Sequence, residues 1–196
     1  MSQYDIGLFF GLKAFISRAW VLKKRMGSMI ASSRASDDVG TTKRRELSFE
    51  NFDEVLIECR HLADVGYHRV GKWNLGQICQ HLAACMNQSI DGYKDPIPFW
   101  LPIVRPVVRM LYLPTILKGG AVSIRAKAPP STLPSTNADD EIRMAELEQA
   151  MARVMQDDVE FVESPVVGQL TKEEWRKLHL WHCQHHLSFL IPGAKR

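Results

Sequence analysis

The 196-residue chain is 45% apolar, with 25 Lys/Arg against 22 Asp/Glu, enough for one compact domain with a real core and marginal for two. Its formal charge of +3 conceals an asymmetry, because residues 1–45 hold nine Lys/Arg and three acids while the remainder holds sixteen and nineteen. A mildly acidic body argues against a duplex-binding face, which needs clustered Lys/Arg to displace counterions from phosphate, so no nucleic-acid partner is expected.

The four cysteines, Cys59, Cys79, Cys85 and Cys183, form no CxxC pair and lack the density of a disulfide-stapled secreted module. A reducing cytoplasm is the default location. Residues 1–43 read as an N-terminal extension. Within it, "IGLFFGLKAFISRAWVLKKR" is apolar, but Lys13 and Arg18 interrupt the run and its basic cluster follows it, the reverse of a secretory signal. Three readings compete there: a poorly ordered extension or an over-called start upstream of Met26 or Met29, with the polar "GSMIASSRASDDVGTTKRR" as linker; an amphipathic segment on a membrane surface; or an uncleaved or atypical export signal. In the second, Phe9, Phe10, Phe15 and Trp20 enter the interface and Lys23, Lys24 and Arg25 meet anionic lipid.

Residues 44–192 read as an all-α domain of four helices. "SFENFDEVLIECRHLADV" offers Ser48 as a start signal, followed by Phe52, Val55, Leu56, Cys59 and Leu62 at helical spacing. Asn74 and Gln77 form a capping-box pair that opens a second helix from about Leu75 to Tyr93. "PIPFWLPIVRPVVRMLYLPTIL", Pro96 to Leu117, has the length of a membrane span but contains five prolines together with Arg105 and Arg109. It is expected to be a long connection with at most one or two short helices. Arg105 and Arg109, four apart, share one side of any local helical turn, either as a clamp for an anionic ligand or as solvated surface. Asp140 to Gln156 is rich in helix formers and supplies the third helix. Thr171 and Glu174 cap a fourth that runs to about Ile191, ahead of Pro192 and Gly193. The expected core contains Leu56, Leu62, Ile78, Leu82, Leu147, Val154, Trp175, Leu178 and Phe189.

The chemistry concentrates in "HLWHCQHHLSFL", His179 to Leu190. At about 100° per residue, Trp175, Leu178, His182, His185, His186 and Phe189 share one side of the last helix, with His179 near its edge. His182 and His186, four apart, stack two imidazoles one turn apart, and His182 with His185 is the competing pair. His81, on the stripe of the second helix that carries Ile78, Cys85 and Gln88, is placed to meet them across the core. Three neutral imidazoles leave a coordination position open, as catalytic metal sites do. Cys85 is a competing ligand or a small core residue. No HExxH, no GxSxG elbow and no phosphate-cradling Gly loop is present, so no catalytic residue is assigned.

"WNLGQICQHLA", a long connection, a third helix and then "GQLTKEEWRKLHLWHCQHHLSFL" together resemble the DinB-like superfamily of four-helix bundles, particularly a bacterial branch of it, over about Arg44 to Pro192. The resemblance implies a four-helix bundle, in this chain with a long proline-rich connection between helices 2 and 3. It also implies a divalent metal ion, commonly zinc or nickel, on the positions that match His81, His182 and His186. His179, His185, Arg105 and Arg109 then become pocket residues that orient a ligand. Some members use the metal to activate a low-molecular-weight thiol such as bacillithiol or mycothiol for transfer to an electrophile; others have no known activity. The long connection departs from the relatives and reshapes the mouth of the site. Three functions follow as expectations: a metal-dependent small-molecule transferase or hydrolase, a non-catalytic stress-related ligand-binding module, or a structural bundle whose histidines only pack.

Overall fold

The computed structural model describes residues 44–120, 122 and 128–193; the expectations placed on residues 1–43 lie outside them. The described chain is mostly helical, with five α-helices and one small two-stranded sheet. In chain order these are α1 (Phe52–Val65), β1 (Tyr67–Arg69), α2 (Leu75–Asp91), α3 (Leu101–Ile116), a 3₁₀ turn (Pro130–Thr132), α4 (Asp140–Met155), α5 (Lys172–Leu187) and β2 (Leu190–Pro192). None of the described helices is long and apolar enough to cross a membrane.

Each boundary has a local cause. α1 is capped by Asn51, three residues beyond the expected Ser48, because the Asn51 side chain accepts from the Glu54 amide at 3.0 Å and the Glu54 carboxylate accepts from the Glu50 amide at 2.8 Å. α2 and α5 carry the capping boxes expected from Asn74/Gln77 and Thr171/Glu174. α5 ends at Leu187 rather than near Ile191, since Leu190–Pro192 leaves the helix to pair antiparallel with Tyr67–Arg69. This pairing joins the exit of α1 to the exit of α5. The pattern of three residues per strand is too short to show alternation.

The largest correction lies between α2 and α4. The expected irregular connection holds the 16-residue helix α3, with Pro106 and Pro114 inside it. An interior proline costs a helix about 3 kcal/mol, and tertiary contacts offset that here. Leu113 of α3 packs with Val167, Leu170 and Trp175. Arg109 Nη1 donates to the Val167 and Gln169 carbonyls at 2.9 and 2.6 Å, and Arg105 pairs with Glu163. Beyond the helix, Trp181 Nε1 and Gln184 Nε2 donate to the Gly120 and Gly119 carbonyls at 2.9 and 3.0 Å. Proline counting alone misses such tethers.

The main core is built from α1, α2, α4 and α5. Leu62, Ile78, Leu82, Leu147 and Val154 are buried in it as expected. Trp175 is buried in the smaller α3–α5 cluster, whereas Leu56, Leu178 and Phe189 are only partly covered. The N-terminus of α2 is fixed by three bonds. Gly76 N donates to Asp140 Oδ1 at 2.7 Å, Leu75 N to the Tyr67 hydroxyl at 2.9 Å, and that hydroxyl to Asp140 Oδ2 at 3.3 Å. One carboxylate thereby sets the first turn of α2 against the first turn of α4.

Gly76 is required by this close approach, because a Cβ there would stand 2.8 Å from both the Ala138 carbonyl oxygen and Asp140 Oδ1. Gly76→Ala is expected to lower stability by about 1–3 kcal/mol, the range for overpacking a tight contact. Urea unfolding of the two chains measures it, and an unchanged midpoint would show that the α2–α4 junction yields without cost.

Candidate metal centre

His81 faces inward from the middle of α2 and is buried. Its Nδ1 lies 2.8 Å from the Thr132 carbonyl oxygen. A carbonyl only accepts, so Nδ1 carries the hydrogen and the lone pair is left on Nε2. The turn that presents this carbonyl is itself held. Ser131 N donates to Asp95 Oδ2 at 3.1 Å, Gln88 Nε2 donates to Ser131 Oγ at 2.9 Å, and Thr132 Oγ1 donates to the Pro129 carbonyl at 3.0 Å.

Opposite stand His182 and His186 on α5. Their Nε2 atoms are 3.0 Å apart, and the His81 ring lies edge-on to both, with centroids 5.1 and 4.8 Å away. The ligand atoms of His81, Cys85 and His182 all fall within 4.8 Å of one another. Cys85 Sγ is 3.7 Å from His81 Nε2, so the thiol belongs to the group of donors rather than to the core alone. Burial pushes that thiol up to about 12, opposed by its hydrogen bond to Thr132. Trp73 closes one side, tilted on His81 at 4.8 Å and stacked on His186 at 5.4 Å. No helical spacing links Trp73 to α5, and its only local signal is an aromatic residue just before the Asn74 cap.

The other expected site residues are engaged elsewhere or stand at the edge. The buried stripe of α5 is Trp175, His179, Cys183 and Leu187, one position away from the stripe expected around Leu178 and His182. His179 is therefore a core residue. Ser89 gives its one hydrogen to the Met86 carbonyl at 2.6 Å, so His179 Nε2 donates to Ser89 Oγ at 3.0 Å. His179 also stacks on Trp175 at 5.4 Å. His185 is at the rim: its ring meets His186 edge-on at 5.0 Å, while its Nδ1 accepts from Arg44 Nη1 at 3.4 Å. Arg105 and Arg109 are bound to Glu163 and to loop carbonyls. Both arginines are half-buried, with their guanidinium groups engaged by these loop partners.

Burial is the first cause of every histidine shift in this region. It pulls His182 well below the usual imidazole value, His186 down to about 2 and His179 to about 3, and it lowers His81 and His185. Mutual repulsion among the rings adds to this for His182 and His186. For His81, the bond to Thr132 works in the opposite direction. At neutral pH the three facing imidazoles are uncharged, each with one ring nitrogen that carries a lone pair.

A titration follows from these directions. The unfolded chain takes up protons on these histidines near pH 6.5, whereas the folded chain does so only at lower pH. Stability is therefore complete above about pH 6.5 and is lost as pH falls below it, by up to about 1.4 kcal/mol per pH unit for each histidine involved. Urea unfolding in a chelator, from about pH 7.5 to about pH 5, is expected to show a steadily falling midpoint. A flat profile would mean that the rings protonate in the folded state as freely as in the unfolded one.

Comparison with known proteins adds a family and no activity. Neither the curated proteins nor the solved structures contain a match to this sequence. The family described as "Protein of unknown function (DUF1569)" matches residues 41–193. That span covers α1 to β2 and all of the donors just described, and the chain belongs to this family.

Proposed function

We propose that the chain binds one divalent metal ion through His81, His182 and His186, with Cys85 as a fourth donor within reach. The observation that carries this reading is the convergence of imidazole nitrogens, one of them fixed as a lone-pair donor by the Thr132 carbonyl. The donor set fits such an ion. Two imidazole nitrogens at about 2.0–2.1 Å from a common zinc are about 2.9–3.3 Å apart for coordination angles between square and tetrahedral, and His182 and His186 present theirs 3.0 Å apart. A histidine ligand normally anchors its other nitrogen on a carbonyl or carboxylate, as His81 does. Mixed nitrogen and sulfur donors favour zinc, with nickel the nearest competitor.

We read α1, α2, α4 and α5 as a DinB-like four-helix bundle, with α3 as the elaboration of its long connection. The site histidines then sit on the second and fourth bundle helices. The proposed activity is transfer of a small-molecule thiol to an electrophile. A divalent ion supplies acidity to a coordinated thiol or water and so yields a nucleophile at neutral pH. The clustered donors His81, Cys85 and His182 include no carboxylate, so no general base stands among them. A thiol with a pKa of about 8.5 needs less help than water at about 15.7. In this reading Trp73 keeps bulk water off one side of the histidines, Thr132 holds His81 in a single tautomer, and His185 with Arg44 offers hydrogen bonding at the rim. The substrate is accordingly a small thiol rather than a polymer.

A second reading rests on the same 3.0 Å contact, which also suits a plain hydrogen bond between two neutral imidazoles. The histidines then serve packing. Elemental analysis of untagged chain separates the two. About one equivalent of a divalent metal is expected; His182→Ala or His186→Ala should lose most of it, while His61→Ala and His68→Ala should retain it. Equal metal content in the unaltered chain and in His81→Ala/His182→Ala would leave the packing reading in place. With metal present, conjugate formation from a thiol and an electrophile tests transfer, and its absence would leave a ligand-binding module.

A further inference from the structure

α3 presents an apolar face to solvent. Its exposed positions repeat as adjacent pairs one turn apart: Pro102 and Ile103, Pro106 and Val107, Met110 and Leu111, Pro114 and Thr115. Every exposed residue from Pro96 to Pro114 is apolar. Phe99 is 83% exposed, Ile103 74% and Met110 70%. Isolated exposed apolar side chains need no explanation, but a continuous stripe of this kind marks a surface that something covers. The arginines of the helix do not interrupt it, since Arg105 and Arg109 are turned to Glu163 and the Val167–Gln169 carbonyls.

We propose that this face of α3 docks on the surface of an anionic lipid bilayer. The helix lies in the interface and does not span it, in keeping with its 16 residues. Charge is the first argument for lipid. Between Asp95 and Asp139 the sequence has no Asp or Glu, so no acid of this stretch opposes anionic headgroups. Two exposed lysines, Lys94 before the stripe and Lys118 after it, bracket the apolar face, an arrangement suited to anionic headgroups. The half-buried Trp100 and Tyr112 stand at its margins, where amphipathic rings favour the boundary between hydrocarbon and water.

The prolines supply the second argument, and they distinguish a bilayer surface from a second copy of the chain. Pro106 and Pro114 have no N–H to give to the carbonyls of Pro102 and Met110, four residues earlier. Both of those residues are exposed. A dry protein–protein contact over this stripe would desolvate two carbonyls without a helical partner, a substantial penalty. At headgroup depth, water still reaches them while the side chains enter the acyl boundary. The membrane-surface expectation attached to residues 1–43 concerns a different segment, and the inference from α3 stands apart from it and from the metal proposal.

The test uses the full chain and the Ile103→Ser/Met110→Ser variant, whose changes fall on exposed positions, with helix content checked by circular dichroism. Sedimentation is measured with phosphatidylcholine vesicles and with vesicles containing roughly one-third phosphatidylglycerol. The full chain should bind the anionic vesicles more tightly and release at high salt, and the variant should bind at least about tenfold more weakly. An environment-sensitive dye on Met110→Cys reports this face alone and should shift to the blue when vesicles are added. Equal binding by the variant, or a dye unchanged on vesicle-bound chain, would overturn the proposal. So would a dimer in solution, seen by sedimentation equilibrium, that the Ile103→Ser/Met110→Ser change dissociates and vesicles leave intact.

Discussion

The hydrogen bond from His81 Nδ1 to the Thr132 carbonyl is the contact on which the site depends. It selects the tautomer, fixes the ring and directs the Nε2 lone pair toward α5. It also accounts for the path of the chain. After α2 the backbone makes the α3 excursion and then returns to lay the Pro130–Thr132 turn along the helix it left. Asp95, just past the end of α2, and Gln88, near it, hold that turn through Ser131. The long connection is thus an added helix whose returning end supplies the orienting group for His81.

Neutrality is the second constraint. Four histidines of α5 and one of α2 share a small volume, and charging any one is opposed first by burial, with neighbouring rings adding to it for His182, His185 and His186. Each is left with a definite hydrogen-bonding task. His179 is occupied by Ser89, His185 by Arg44 and His81 by Thr132. Only His182 and His186 have each other as hydrogen-bond partner. Among the described residues no other acceptor is seen at their facing Nε2 atoms, so the shared hydrogen can reside on either ring.

Much of this was legible in the sequence, for reasons that differ by element. α2, α4 and α5 were found because capping residues and helix formers act locally, and Asn74/Gln77 and Thr171/Glu174 announce their helices within four residues. Helical spacing put His81 on the inward stripe of α2, where it is found, and put His182 and His186 together on one side of α5, although the buried stripe of that helix lies one position away. The details that failed are tertiary. Prolines in α3 were read as breakers because the carbonyl tethers from Arg109, Trp181 and Gln184 lie far away in sequence. His179 was placed at the edge because a wheel cannot show that Ser89 waits across the core. Arg105 and Arg109 were given a ligand to clamp because their loop partners, Glu163 and the Val167 and Gln169 carbonyls, carry no motif. Trp73 gained its importance only from what lies opposite, whereas Cys85, one turn from His81, was already open to reading as a ligand or a core residue.

The short antiparallel pairing of Tyr67–Arg69 with Leu190–Pro192 has a consequence for the histidines above it. His185 and His186 occupy the last turn of α5, where an unsupported helix frays and its side chains sample many orientations. Clamping the following residues onto the exit of α1 removes that freedom before any ligand arrives. The Arg45 amide adds a further stitch, donating to the Ser188 carbonyl at 2.9 Å. The entropic cost of ordering the donors is thus met during folding rather than at binding.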